Sequence, residues 1–217
     1  MKKTAFTMIE LVLVIVVLGI IATLAIPRME RDLKQEAADN ILSAIRYTQH
    51  LALVDDKQEF DDSKWQQRFW HLYFGTCTGS DRFYAIGSDD NKESSTNARV
   101  DKTEAALDPS NGKPIWWQDA QDCSSGGDDT VSPNIFITKK YSVDSITSSG
   151  GCANKYIAFD HLGRPYSSDF SSSTTPDNQG YMTSVCTFTF SLHNGDQFSI
   201  KIEPETGYAY IDGQTDS

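Results

Sequence analysis

Residues 6–26, FTMIELVLVIVVLGIIATLAI, form an apolar run of membrane length in which Glu10 is the one charged residue. From Leu11 to Ile26 only Thr23 is polar. A carboxylate at the edge of such a run costs up to a few kcal/mol in a bilayer. The segment must therefore offset that cost or bring Glu10 a partner. A secretory signal peptide would have Lys2 and Lys3 as its basic end, but its apolar core is shorter than this run, and Ala22-Thr23-Leu24-Ala25 is a poor cleavage site. A transmembrane helix fits the length of about 20 residues. Lys2 and Lys3 would then keep the short end in the cytoplasm. Neither reading explains Glu10.

The stretch Ala5-Phe6-Thr7-Met8-Ile9-Glu10, between a short basic leader and the apolar run, resembles the cleavage motif of type IV pilins and type II secretion pseudopilins. The resemblance implies that a prepilin peptidase cuts between Ala5 and Phe6, leaving residues 1–5 as leader, and that Phe6 is then N-methylated. It also implies that Glu10 neutralises the Phe6 amine of a neighbouring subunit during assembly, which is the missing partner. Pro27 matches the proline that closes the family's apolar half-helix. Ala5 departs from the usual Gly but is also small, and the family tolerates it.

Beyond Pro27, apolar or small residues recur at Leu33, Ala37, Ile41, Ala44, Ile45, Thr48 and Leu51. Steps of three and four predict an amphipathic helix. Arg31, Asp32, Lys34, Gln35, Glu36 and Asp39 fall on its other face. At 1.5 Å per residue a helix from Phe6 to Leu53 is roughly 70 Å long. Pro27 removes one hydrogen bond and is expected to kink it. The expected organisation is a leader (1–5), a transmembrane or filament-core half-helix (6–27), an amphipathic half-helix (28–54) and a β-rich periplasmic head (55–217). The expected fold is α+β: a pilin-like lollipop with a long N-terminal helix packed on an antiparallel sheet.

In the head, Phe69–Phe74 and Arg82–Ile86 read as strands around a turn at Gly75–Ser80. The polar stretch Gly87–Asn111 reads as a loop with a short helix at Lys102–Leu107. Asn134–Thr138 and Tyr156–Phe159 read as short strands, and Ser167–Gly180 as an exposed loop. Cys186, Phe188, Phe190 and Leu192 alternate with polar residues, Asn194-Gly195 supplies the positive φ of a tight hairpin, and Phe198, Ile200 and Ile202 line the return strand. A turn at Pro204–Gly207 leads to a last strand at Tyr208–Ile211. The apolar face of this meander should pack on the amphipathic helix.

Two short motifs are similar to those of the minor pseudopilin H and FimT group: Phe159-Asp160-His161-Leu162-Gly163-Arg164-Pro165, and Ile202-Glu203-Pro204-Glu205-Thr206-Gly207. Either is also an ordinary turn, since Gly163, Pro165 and Gly207 are turn formers. Asp108-Pro109-Ser110-Asn111-Gly112 echoes the neighbourhood of the major pseudopilins' calcium loop, but no cluster of ligands follows it.

Cys77, Cys123, Cys152 and Cys186 all lie in the head. An even number in an exported domain points to disulfides, with three possible pairings. If the Tyr156 and Cys186 strands pair across the Arg164–Gly180 loop, Cys152 and Cys186 lie opposite one another, and Cys77–Cys123 follows by elimination. A zinc site is disfavoured because no CxxC occurs and neither His71 nor His161 stands at ligand spacing from a cysteine.

The net charge is −11 from 19 Lys/Arg and 30 Asp/Glu. Residues 31–217 keep 16 basic and 28 acidic residues, a balance of −12. Such a surface repels nucleic acid, so no direct contact with DNA is expected. There is no G-x-S-x-G, no HExxH and no phosphate loop. The histidines at 50, 71, 161 and 193 are scattered, and the paired aspartates (55–56, 61–62, 89–90, 128–129) read as solvated loops. Trp65, Trp70, Trp116 and Trp117 read as core, with one of the adjacent pair facing outward, or as a glycan-stacking surface. No enzyme activity, cofactor or metal is expected.

The expected function is that of a minor pseudopilin of a type II secretion system, helping to form or initiate the periplasmic pseudopilus. Its expected partners are other pilin or pseudopilin subunits, the prepilin peptidase, the inner-membrane assembly platform and the membrane. Its expected location is the inner membrane, single-pass with the head in the periplasm, and then the filament. The alternatives are a minor pilin of a surface or DNA-uptake pilus, and a membrane-tethered periplasmic binding module.

Overall fold

The computed structural model describes residues 7–92, 100–152, 155–168, 170, 174–177 and 180–214, except for the side chains of residues 22–32. Helix α1 (Met8–Val54) is continuous across position 27. Its C-terminal part buries Ala37, Ile41, Ala44, Ile45 and Thr48, with Leu33 and Leu51 half-buried. This is the stripe that steps of three and four predict.

The strands among the described residues are β1 (Trp70–Thr76), β2 (Arg82–Gly87), β3 (Val143–Gly150), β4 (Tyr156–Phe159), β5 (Pro165–Tyr166), β6 (Cys186–Leu192), β7 (Gln197–Ile202) and β8 (Ala209–Ile211). They form two antiparallel sheets of four, in the orders β2-β1-β4-β5 and β3-β6-β7-β8. Helix α1 touches β1, β2 and β4 of the first sheet and β7 and β8 of the second. Phe74 of β1 places its ring 5.3 Å from Phe188 and 5.4 Å from Phe190 of β6. The apolar stripe of α1 and the inner faces of both sheets thus share one core.

The expected architecture, a lollipop of long helix and single sheet, is corrected in two respects. The strands divide into two sheets, because β4 pairs with β1 and β5 whereas β6 pairs with β3 and β7. Among the described residues, moreover, no helix is long and apolar enough to cross a membrane.

Local expectations are corrected too. Residues 102–107 are not helical: Ala106 donates its N–H to the Ile86 carbonyl, and Ile86 donates to Ile115, so the segment lies along the edge of β2. Asn134–Thr138 is not a strand. Ser132 caps a 3-10 turn (Pro133–Ile135) by accepting from the Asn134 N–H, and helix α2 (Ile137–Tyr141) follows. Strand β3, a hydroxyl-rich VDSITSSG, carries no apolar alternation in the sequence: of the positions that face the core side of β6, only Val143 and Ile146 are apolar, beside Ser148 and Gly150. In the β6–β7 hairpin Gly195 takes φ 89° and Asn194 does not take positive φ, so the connection is a three-residue loop.

Candidate functional site

The N-terminal segment singled out in the sequence is described from Thr7 onward. Thr7 is the N-cap of α1: its hydroxyl accepts from the Glu10 N–H at 3.4 Å, while a Glu10 carboxylate oxygen accepts from the Thr7 N–H and hydroxyl, each at 2.9 Å. This is a capping box. Its signature, Thr-x-x-Glu before an apolar run, was readable in the sequence and was missed. Glu10 thus has a partner within its own chain and remains exposed. Ala5 and Phe6, the expected cleavage and methylation positions, lie outside the described residues, as do residues 1–4 and the Pro27 side chain.

From Met8 to Ile21 every position is exposed, and the large apolar side chains there are 45–87% accessible. Burying one such side chain fully is worth roughly 1.5–3 kcal/mol. An apolar surface this continuous marks a place where another molecule or a lipid phase belongs.

What fixes α1 to the head is a junction built from the two short motifs. The Gln49 side-chain amide donates to the Gly163 carbonyl and to the Thr206 carbonyl, both at 2.9 Å. The turn after β4 is organised by Asp160, which is 1% exposed. One of its carboxylate oxygens accepts from the backbone N–H groups of Leu162 and Arg164 at 3.0 and 2.8 Å, and the other takes the Arg164 guanidinium at 2.7 Å. One helical turn before Gln49, Arg46 donates twice to the Ala209 carbonyl of β8, at 3.2 and 2.8 Å. The turn that precedes β8 and the turn that follows β4 therefore meet on one helical residue, although more than forty positions separate them in the chain.

The C-terminal end of α1 is held by charge. The Asp55 carboxylate accepts from the Trp70 indole at 2.9 Å and pairs with Lys57 at 2.8 Å. Burial raises its pKa, but the hydrogen bonds from Lys57 and Trp70 outweigh that and hold it below the ordinary carboxylate value. Asp108 behaves alike: burial pushes it up, and hydrogen bonds from Ser132, Ser110 and Asn134 bring it down further. Asp108 lines a cavity of about 260 Å³ together with Asn40, Tyr47 and Tyr84. Its carboxylate is filled by these protein donors.

The four cysteines form Cys77–Cys123 and Cys152–Cys186. The second pair is the one favoured from the sequence, but the strands responsible are different. Gly150 of β3 stands opposite Cys186 of β6, so Cys152 closes the end of the β3–β6 ladder and β4 takes no part. Disulfides are compatible with a periplasmic or extracellular location.

The histidines do not converge. His50 and His193 are exposed, and His71 is buried with Nδ1 2.9 Å from the Phe69 carbonyl. His161 lies 3.9 Å from Asp56. Trp65 and Trp117 are buried; Trp70 and Trp116 are half-buried, and Trp116 donates to the Val100 carbonyl. Among the described residues no group of His, Cys, Asp and Glu could hold a metal ion.

No protein-family model matches the chain, and neither a curated protein nor a solved structure matches it.

Proposed function

We propose that this chain is a minor pseudopilin of a type II secretion system, a structural subunit that helps to form or initiate the periplasmic pseudopilus. The observation that carries the reading is Ala5-Phe6-Thr7-Met8-Ile9-Glu10, set between a basic leader and an apolar run. The exposed apolar surface of residues 8–21 supports it, since such a surface needs a lipid or protein environment. In this reading the chain enters the inner membrane through its apolar run with Lys2 and Lys3 in the cytoplasm. The peptidase removes residues 1–5, Phe6 is methylated, and the segment then packs among the same segments of other subunits. Glu10 offers its carboxylate to the Phe6 amine of a neighbour, exchanging the Thr7 cap for an ion pair between subunits. The disulfide-bonded head stays in the periplasm.

A minor pilin of a surface or DNA-uptake pilus would use the same N-terminal chemistry. The −12 balance beyond residue 30 weighs against direct contact with nucleic acid. The test is intact-mass and N-terminal peptide analysis of the protein from membranes of cells that carry the prepilin peptidase. The expected product starts at Phe6 and bears one added methyl group. A chain that still starts at Met1 overturns the reading and leaves a tethered periplasmic module.

A further inference from the structure

We propose that the outer edge of β3 docks against the same edge of a second copy of this chain, in a short antiparallel ladder centred on Thr147. Strand β3 is an end strand of its sheet. Gly151 donates to the Val185 carbonyl beyond the end of the ladder. In an antiparallel pair the backbone groups of alternate residues turn toward the partner strand. Ser145, Thr147 and Ser149 therefore spend their N–H and C=O groups on β6, and Ile146 and Ser148 turn theirs outward. No hydrogen bond within the described residues reaches those outward groups.

The other edges are covered. Ala106 and Ile115 bond along β2, Arg46 occupies the Ala209 carbonyl of β8, and Met182 donates to Pro165 of the two-residue β5. Edge strands are commonly guarded by lysine, proline or a bulge that turns them away. Strand β3 has no Lys or Pro, and its irregularity, between Val143 and Ser145, lies before the open stretch. Arg82 donates to the Asp144 carbonyl at 3.3 Å, so the free edge begins after that residue.

The register selects the occupant. An antiparallel pairing about Thr147 sets Ile146 against Ser148 of the second copy, and Ser148 against its Ile146, so every outward group of these residues meets its complement. Thr147 then faces Thr147, Ser145 faces Ser149, and Asp144 faces Gly150. Hydroxyls meet hydroxyls, and no like charges oppose one another. A two-fold axis makes such an interface self-complementary. Asp144 is the one acidic residue of β3 and meets Gly150; the rest of the head's acidic charge lies on other elements, and salt screens it beyond about 8 Å. None of this depends on cleavage at Phe6.

The test is oxidative cross-linking of full-length Thr147→Cys protein in detergent, read on a non-reducing gel, with the two native disulfides mapped by mass. The expected result is a covalent homodimer, several-fold more abundant than for Gln197→Cys, an exposed position on β7. Adding Ser148→Pro removes one outward N–H but no bond to β6, and is expected to abolish the cross-link. Ser148→Lys does the same through charge if the proline variant fails to fold. A yield no higher than that of Gln197→Cys overturns the proposal. So does a cross-link that survives both changes at position 148, or one formed only with a different protein.

Discussion

Gly207 packs directly on Gly163: an added Cβ at position 207 would stand 2.4 Å from the Gly163 carbonyl oxygen and 2.5 Å from the Gln49 amide nitrogen. Gly207 also has φ +66°, where side chains are strained. The two turns and Gln49 therefore form one unit that joins α1 to both sheets. Gly207→Ala is expected to destabilise the head by about 1–3 kcal/mol. Gln49→Ala, which leaves two carbonyls without their donor, should cost about 1–2 kcal/mol. Urea midpoints at unchanged m check both. Because both changes disturb the same contact, the double variant should lose less than the sum.

Asp108 makes part of the head's stability depend on pH. Its folded pKa lies below the unfolded value because hydrogen bonds from Ser132, Ser110 and Asn134 outweigh burial. The stability it contributes is present above the ordinary carboxylate pKa of about 4. That contribution is lost as pH falls through the folded value. The expected result is that Asp108→Asn is less stable than the parent at neutral pH, and that the gap narrows in acid. A gap that stays constant from neutral pH to about pH 3 would remove Asp108 from the acid response.

The disulfides close loops with separations of 46 and 34 residues. Loop-closure entropy puts each at about 4 kcal/mol, before any residual structure in the unfolded chain is discounted. Replacing either pair by Ser is expected to lower the thermal midpoint clearly. In Cys152→Ser/Cys186→Ser, amide exchange should rise first at the end of β3 and the start of β6, which that bond holds together. Faster exchange confined to β4 would contradict the observed ladder.

Thr7→Ala separates the two roles open to Glu10. It removes the hydroxyl half of the capping box, a loss of about 1 kcal/mol, and leaves the carboxylate in place. If Glu10 acts toward a neighbouring amine, Thr7→Ala protein should still assemble into filaments, whereas Glu10→Ala protein should be processed and fail to assemble. Equal failure of the two variants, scored by filament incorporation, would reduce Glu10 to a helix cap.

Local patterns proved legible wherever one face of an element is buried and the other wet. The stripe through Ala37, Ile41, Ile45 and Thr48 was readable because helical periodicity is written in consecutive residues. So was the alternation of Cys186, Phe188, Phe190 and Leu192. Residues 134–138 misled because a short apolar run does not distinguish a strand from a helical turn, and the capping by Ser132 decides it. Strand β3 was invisible because its partners supply most of the apolar surface.

From the sequence alone came the membrane-length apolar run with its single carboxylate, the helix that continues it, the C-terminal meander and the expectation that four cysteines form two disulfides. Each rests on neighbours in the chain or on counting. Tertiary structure alone decided that the strands divide into two sheets, that β3 rather than β4 carries the Cys152–Cys186 bond, and that Gln49 gathers the turns at Gly163 and Gly207. These depend on which backbone groups pair across loops of tens of residues. Local propensity does not encode that choice; the packing of Phe74 against Phe188 and Phe190, beneath α1, does.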